Sequence, residues 1–303
     1  MIELLLNNQS WVVYLVSVMV ISGYVKHYNL LMPIYARLLK VVKSKRGVVA
    51  LISAITGVLP IPGRVITSAG FLDTIASPKK GKRCQMGIID FMSTHHYYLW
   101  SPLEKTMIVP AAALGIGYFG MLSLTFPMLI AVLGVTIWYI FGYLKEDDIE
   151  IKTDEVPVWK LEFDWKSIPN PFKFINFELV VAMAGIIIIG NIAKLYSDDL
   201  KAIAESFQLG VPFALLFSFF ASYLLGSSSR FAAFTTIFSL IFGIHYLPIF
   251  FAVDYAGYLF SPTHKCVLTG KMYFDTPYRL YFKAIGAMSL AATFGALVTM
   301  AFT

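Results

Sequence analysis

Charge-free apolar runs at 11–25, 121–143, 179–193 and 284–302 punctuate the chain, each close to the roughly 20 residues that cross hydrocarbon once flanks are counted. Between them lie apolar stretches that are interrupted. Residues 47–78 break midway at "LPIPGR", leaving limbs of about 13 residues, too short to cross and return as full spans. Residues 209–245 break in the same way at "LLGSSSR". Both patterns predict re-entrant helical hairpins with their tips near mid-membrane, where non-helical backbone is tolerated only if protein or water surrounds it. Two further stretches, about 86–118 and 246–270, carry "YLWSP" and "YLFSP" and predict spanning helices broken at the proline. "HYNLLMPIYARLLKVVKSKR" and "YSDDLKAIAESFQ" have helical spacing of apolar positions and predict interfacial helices.

The order of these elements repeats. Ser261 and Pro262 follow Ser101 and Pro102 by 160 residues, Lys265 matches Lys105, and the run at 121–143 falls onto 281–303. The chain therefore divides into a first repeat at 1–145, a charged cytoplasmic linker at 146–169 and a second repeat at 170–303. Each half reads as a span, an interfacial helix, a hairpin, a broken span and a final span. Three crossings is an odd number, so the halves are inverted. The fold expected is an all-α polytopic membrane protein of two inverted repeats, each with a re-entrant hairpin and a discontinuous transmembrane helix.

Composition agrees. With 14% charged residues against about 25% in soluble domains, and a mean hydropathy of +0.71, the chain is expected to be integral to the membrane. The opening "MIELLLNNQS" has an acid where a signal peptide has basic residues and no cleavage site follows, so the first run is read as a retained helix. Of the net charge of +6, Lys26, Arg37, Lys40, Lys43, Lys45 and Arg46 share one connection, and Lys79, Lys80, Lys82 and Arg83 the next. Lys271, Arg279 and Lys283 precede the last run. The positive-inside rule puts all three groups in the cytoplasm, with Asp198, Asp199 and both termini outside a multi-pass cell-membrane protein. No soluble stretch is long enough for a nucleic-acid-binding domain. Cys84 and Cys266 show neither metal-ligand spacing nor a disulfide framework.

Paired broken helices at a repeat interface point to a secondary transporter with its site at the midplane. A break leaves N–H groups and a positive dipole end on one side, carbonyls and a negative end on the other. Arg64 and Arg230 near the hairpin tips, with the helix N-termini there, favour an oxyanion. Pro62, Gly63, Gly226, Ser227, Ser228 and Ser229 suit close backbone approach and small hydroxyl ligands, with Thr67 and Ser68 one turn further on. The hydroxyls of Ser101 and Ser261, and carbonyls freed by Pro62, Pro102 and Pro262, suit Na⁺. Small residues also serve ordinary close helix packing, and an intramembrane arginine also serves snorkelling or a structural ion pair. Glu104 and His264 hold equivalent positions after the two breaks, and charge at depth costs about 2.5–3.5 kcal/mol unless partnered or facing a cavity. They are candidate proton carriers or mutual partners, and His264 also a solute ligand. His95, His96 and Asp254 are further ion-coupling candidates, and Asp90 resembles them, although most of these also read as satisfied buried polar groups; no spacing such as HExxH makes a metal site of any.

"GVLPIPGRVITSAG", "DFMSTHHYYLWSPLEKTMIVPAAALG" and "YAGYLFSPTHKCVLTGKMYF" resemble three signatures of an uncharacterised integral-membrane family of archaea and bacteria, a domain-of-unknown-function family within the ion-transporter superfamily. The most specific is carried by Ser261, Pro262, His264, Cys266, Tyr273 and Phe274; Pro60, Pro62 and Gly63 carry the second, with Arg64 where a second glycine is more usual. The resemblance implies an elevator-type carrier: a scaffold from the first and last spans of each repeat, a transport domain from hairpins and broken helices, and a homodimer formed through the scaffold.

The function expected is therefore secondary active transport of a small anionic solute coupled to Na⁺ or H⁺, with no other cofactor and no enzymatic activity. One alternative is an intramembrane enzyme using His95, His96, Glu104 or His264 on a lipid-linked substrate. Another is a non-transporting subunit or channel. The enzyme predicts that those side chains converge; the transporter predicts them split between two half-sites.

Overall fold

The computed structural model describes residues 9–28, 30–58, 64–79, 82–151, 168–175, 195–206, 209–226 and 228–303, with isolated positions between 177 and 192. It is mostly helical. Of the four uninterrupted runs, 11–25 lies within helix α1 (Gln9–His27), while 179–193 falls largely outside the described residues. The other two lie in α7 (Gly117–Tyr143) and α13 (Tyr278–Phe302), the two described helices long and apolar enough to cross a membrane. A third is reached if the bent pair Asp198–Ser206 and Val211–Leu225 counts as one span.

Helices α7 and α13 pack along each other. A Cβ on Gly295 would stand 2.5 Å from the backbone N and Cα of Met128, so the missing side chain sets how closely these helices approach. Their other faces expose Phe126, Ile130, Trp138, Leu290 and Phe294, which suits contact with lipid chains.

The interrupted stretches fold as helix pairs. α3 (Lys45–Val58) and α4 (Arg64–Ile75) form the first, and their connection at 59–63 lies outside the described residues. α9 (Val211–Leu225) and α10 (Ser228–Phe242) form the second, turning at Gly226. The expected interfacial helices are α2 (Leu31–Val41), whose buried side is Leu31 and Tyr35, and α8 (Ser197–Ser206). The broken helices are α5 (Arg83–His95), extended by a 3₁₀ turn at His96–Leu99, followed by α6 (Lys105–Leu114), and α11 (Leu247–Phe260) followed by α12 (Lys265–Phe274).

These elements pack in a crossed order. The first limbs α3 and α9 lie on α5 and α11, the broken-helix segments that follow them in sequence. The second limbs reach across: α4 packs on α12, and α10 on α6 as well as α11. Close approach is again made by glycine. A Cβ on Gly57 of α3 would stand 2.9 Å from Thr94 Cα, and one on Gly257 of α11 would overlap the Phe219 carbonyl oxygen.

Residues 146–151 extend the picture of a linker. Strand β1 (Ala76–Pro78) pairs antiparallel with β2 (Ile149–Ile151), Ala76 opposite Ile151, and Lys79 N–H donates to Asp148 O at 2.9 Å. Ser44 caps α3, its Oγ accepting from Gly47 N–H at 3.1 Å and donating to Glu146 Oε1 at 2.5 Å. Glu146 Oε2 accepts from Lys45 N–H at 2.6 Å. A carboxylate from after α7 thus satisfies donors that the first turn of α3 leaves open. Residues 152–167 lie outside the described residues.

Candidate functional site

The two helix breaks have one construction. In the first, Ser101 O accepts from Glu104 N–H at 3.1 Å and Ser101 Oγ from Leu103 N–H at 3.2 Å. In the second, Ser261 O accepts from His264 N–H at 3.1 Å and Ser261 Oγ from Thr263 N–H at 3.3 Å. The physics is local: proline has no N–H to give the preceding turn, and a serine before it closes a tight turn with side chain and carbonyl together. Glu104 and His264 become the N-cap residues of α6 and α12, each carbonyl opening the next helix at Met107 or Val267. Ser101, Ser261, Glu104 and His264 are all buried. The serine hydroxyl lone pairs and carbonyls are thus partly used by their own turns, which reduces what they offer to a cation.

A hairpin tip meets one of these breaks. Gly226 adopts φ +56°, and a Cβ there would overlap Thr263 Oγ1 and stand 2.6 Å from Ser261 Oγ. Both the left-handed backbone and the space require glycine. At the other tip, Pro62 and Gly63 lie outside the described residues, as does Ser227 at the second. Arg64 opens α4, and Ser228, Ser229 and Arg230 open α10; nothing is described of their side chains. Thr67 is partly buried on α4 and Ser68 fully.

Each broken helix carries a buried aspartate bonded to the helix pair that precedes it. Ser53 Oγ of α3 donates to Asp90 Oδ1 on α5 at 2.6 Å, while Ser68 Oγ of α4 donates to Val65 O of its own helix at 3.2 Å. On α11, Asp254 accepts from Ser222 of α9 at 3.3 Å and Thr235 of α10 at 2.6 Å. Asp254 thus bonds both limbs of its helix pair, and Asp90 bonds the first limb of its own. The signal for these partners in the sequence is Ser218 and Ser222, four apart on one face of an otherwise apolar helix.

Side chains 160 residues apart also touch each other. Tyr98 and Tyr258 share a hydroxyl–hydroxyl hydrogen bond of 2.7 Å, and Tyr255 Oη donates to His95 O at 3.3 Å. Beside them, His95 Nε2 of α5 lies 3.1 Å from His264 Nε2 at the second break. Phe91 stacks on His95 with ring centroids 4.1 Å apart, and Tyr258 lies 4.5 Å from the His264 ring. Cys266, the second residue of α12, belongs to the same cluster. His96 goes elsewhere, its Nδ1 accepting from Trp100 Nε1 at 2.8 Å.

The fold thus brings Gly226 to Ser261, and His95 to His264; it places Asp254 in a clasp that holds helices together, Ser68 on the backbone of its own helix and His96 with Trp100. Thr235, Ser53, Tyr98 and Cys266 join these groups without having been singled out as site residues. No family model matches the chain, and neither a curated protein nor a solved structure matches it, so its function is argued from these residues alone.

Proposed function

We propose that the chain is a secondary active transporter that moves a small anionic solute across the cell membrane by an elevator motion coupled to Na⁺ or H⁺. In this reading it comprises two inverted repeats, each a re-entrant hairpin clasped to a broken spanning helix, with both termini outside and a homodimer formed through the first and last spans, as in the superfamily its motifs resemble. One observation carries it: the tip at Gly226 meets the break at Ser261–Thr263, and midplane sites of secondary transporters are built from such discontinuous elements. The crossed packing of second limbs, α4 on α12 and α10 on α6, supports the inverted pairing. So does the contact between Tyr98 and Tyr258, since equivalent residues meet one another on a two-fold axis. Arg64 and Arg230 then stand where helix N-termini and guanidinium groups together favour an oxyanion.

The test is uptake by proteoliposomes of carboxylates, phosphate and sulfate under an imposed Na⁺ or proton gradient. Arg64→Ala and Arg230→Ala should each lower uptake of the transported anion roughly tenfold or more, the worth of a charge-assisted hydrogen bond. Variants that transport as well as the parent would remove the anion site from the proposal.

The approach of His95 to His264 favours a second reading, an intramembrane enzyme. The rings of Phe91 and Tyr258 against that pair speak for the first, because they occupy space a substrate would need. Turnover of a lipid-linked substrate by vesicles that accumulate no solute would reverse the order.

A further inference from the structure

The geometry points to a metal site of three protein donors, His95 Nε2, His264 Nε2 and Cys266 Sγ, that takes one thiophilic d¹⁰ ion, Zn²⁺ or Cu⁺, between α5 and α12. Histidine tautomers carry the argument. A carbonyl oxygen only accepts, so the contacts of His95 Nδ1 with Phe91 O at 2.6 Å and of His264 Nδ1 with Leu259 O at 3.3 Å put the hydrogen on Nδ1 in both rings. Each Nε2 then carries a lone pair, and the two face each other across 3.1 Å. Two such lone pairs repel unless a positive centre lies between them. Anchoring of Nδ1–H by a backbone carbonyl is also how metal-bound imidazoles are oriented.

The sulfur separates a metal from a shared proton. Cys266 Sγ and one ring nitrogen of each histidine all lie within 4.8 Å of one another. A proton between imidazoles has no need of a soft third donor, whereas Zn²⁺ and Cu⁺ both favour one. Zn–N bonds of about 2.0–2.1 Å and Zn–S of about 2.3 Å imply donor–donor edges of roughly 3.3–3.6 Å. The His–His edge is already near that length, and the thiol edges close by rotation of Cys266, which is only half-buried. Three donors would complete a trigonal Cu⁺ site, and Zn²⁺ would take a water as its fourth ligand. The ion would clip together residues 169 apart in the chain. This clip does not rest on the transport reading.

The full chain, purified in detergent without a polyhistidine tag and stripped with a chelator, is titrated with Zn²⁺, and anaerobically with Cu⁺, against chromogenic competitors. Co²⁺ serves as the spectroscopic probe. The expected results are one equivalent bound, a thiolate-to-cobalt charge-transfer band, and a melting midpoint that rises with the ion. Cys266→Ser should abolish the band and weaken binding at least about a hundredfold, since loss of an outer-shell partner alone costs about 10–100-fold. Cys84→Ser should change neither, and both serine variants should elute as the parent does on size exclusion. His264→Asn should likewise weaken binding of both ions, and if it is too unstable to purify, the two cysteine variants still decide. Substoichiometric binding of both ions overturns the proposal, leaving two imidazoles that share a proton. Equal loss in Cys84→Ser and Cys266→Ser overturns it as well.

Discussion

Replacing Gly226 with alanine adds one methyl group where the α9–α10 turn meets the second helix break. Two independent costs follow. A non-glycine residue at φ +56° loses about 1 kcal/mol or slightly more. The new Cβ would also overlap Thr263 Oγ1 and stand 2.6 Å from Ser261 Oγ, and overpacking of this kind costs about 1–3 kcal/mol. Together these amount to about 2–4 kcal/mol, a large part of the 5–15 kcal/mol typical of a folded domain. At roughly 2–4 °C for each kcal/mol, the melting midpoint should fall by about 5–15 °C, read by size-exclusion fluorescence after heating in detergent. Thr263→Ala relieves the overlap and leaves the backbone term. The double variant should therefore recover part of the loss, while Thr263→Ala alone, at an exposed position, stays near the parent. A Gly226→Ala protein that melts with the parent, or shows no recovery in the double variant, would refute the idea that tip and break form one packed unit.

The aspartate clasp predicts an order of effects: Thr235→Val removes a 2.6 Å donor to Asp254 and should cost about 1–3 kcal/mol, more than Ser222→Ala, whose hydrogen bond is 3.3 Å, both read as thermal midpoints. The tyrosine pair predicts a coupling of about 1 kcal/mol in a cycle of Tyr98→Phe, Tyr258→Phe and the double variant; additivity would mean that the two hydroxyls do not exchange a hydrogen bond. At Glu146, burial pushes the carboxyl up, but the Ser44 hydroxyl, the Lys45 N–H and the Arg46 guanidinium outweigh it and hold the group below its ordinary value of 4.5. A depressed carboxyl contributes stability above its unfolded value and loses it as pH falls through the folded one. The parent should therefore exceed Glu146→Gln in midpoint at pH 7, with the difference closing below about pH 4.

Several elements were legible because a few local rules decide them. Ser-Pro after an aromatic pair stops a helix through a missing donor and a side-chain turn, and the same chemistry appears at residues 101 and 261. Limb lengths around "LPIPGR" and "LLGSSSR" limited those stretches to helix pairs, which the structure forms as α3–α4 and α9–α10. The strand pair was not legible: three residues carry no period, and 149–151 lie in a run of charges that reads as solvated. The approach of His95 to His264 was not legible either, since metal and hydrogen-bond partners 169 residues apart leave no spacing to recognise. "HKC" looked like a break with a charge after it until α5 was seen beside it. Asp90 and Asp254 read as buried polar groups in need of partners, but the hydroxyls that bond them, Ser53, Ser222 and Thr235, lie on neighbouring helices and leave no local spacing to recognise.

The β1–β2 ladder and the Glu146 cap act as a leash. Residues 144–151 leave the end of α7 and at once grip the first helix pair: Leu144 O takes Arg46 Nη1 at 3.1 Å, Glu146 caps α3, and β2 pairs with β1, the strand that continues from α4. Any sliding of α3 and α4 past α7 must therefore carry this segment along or strip it off.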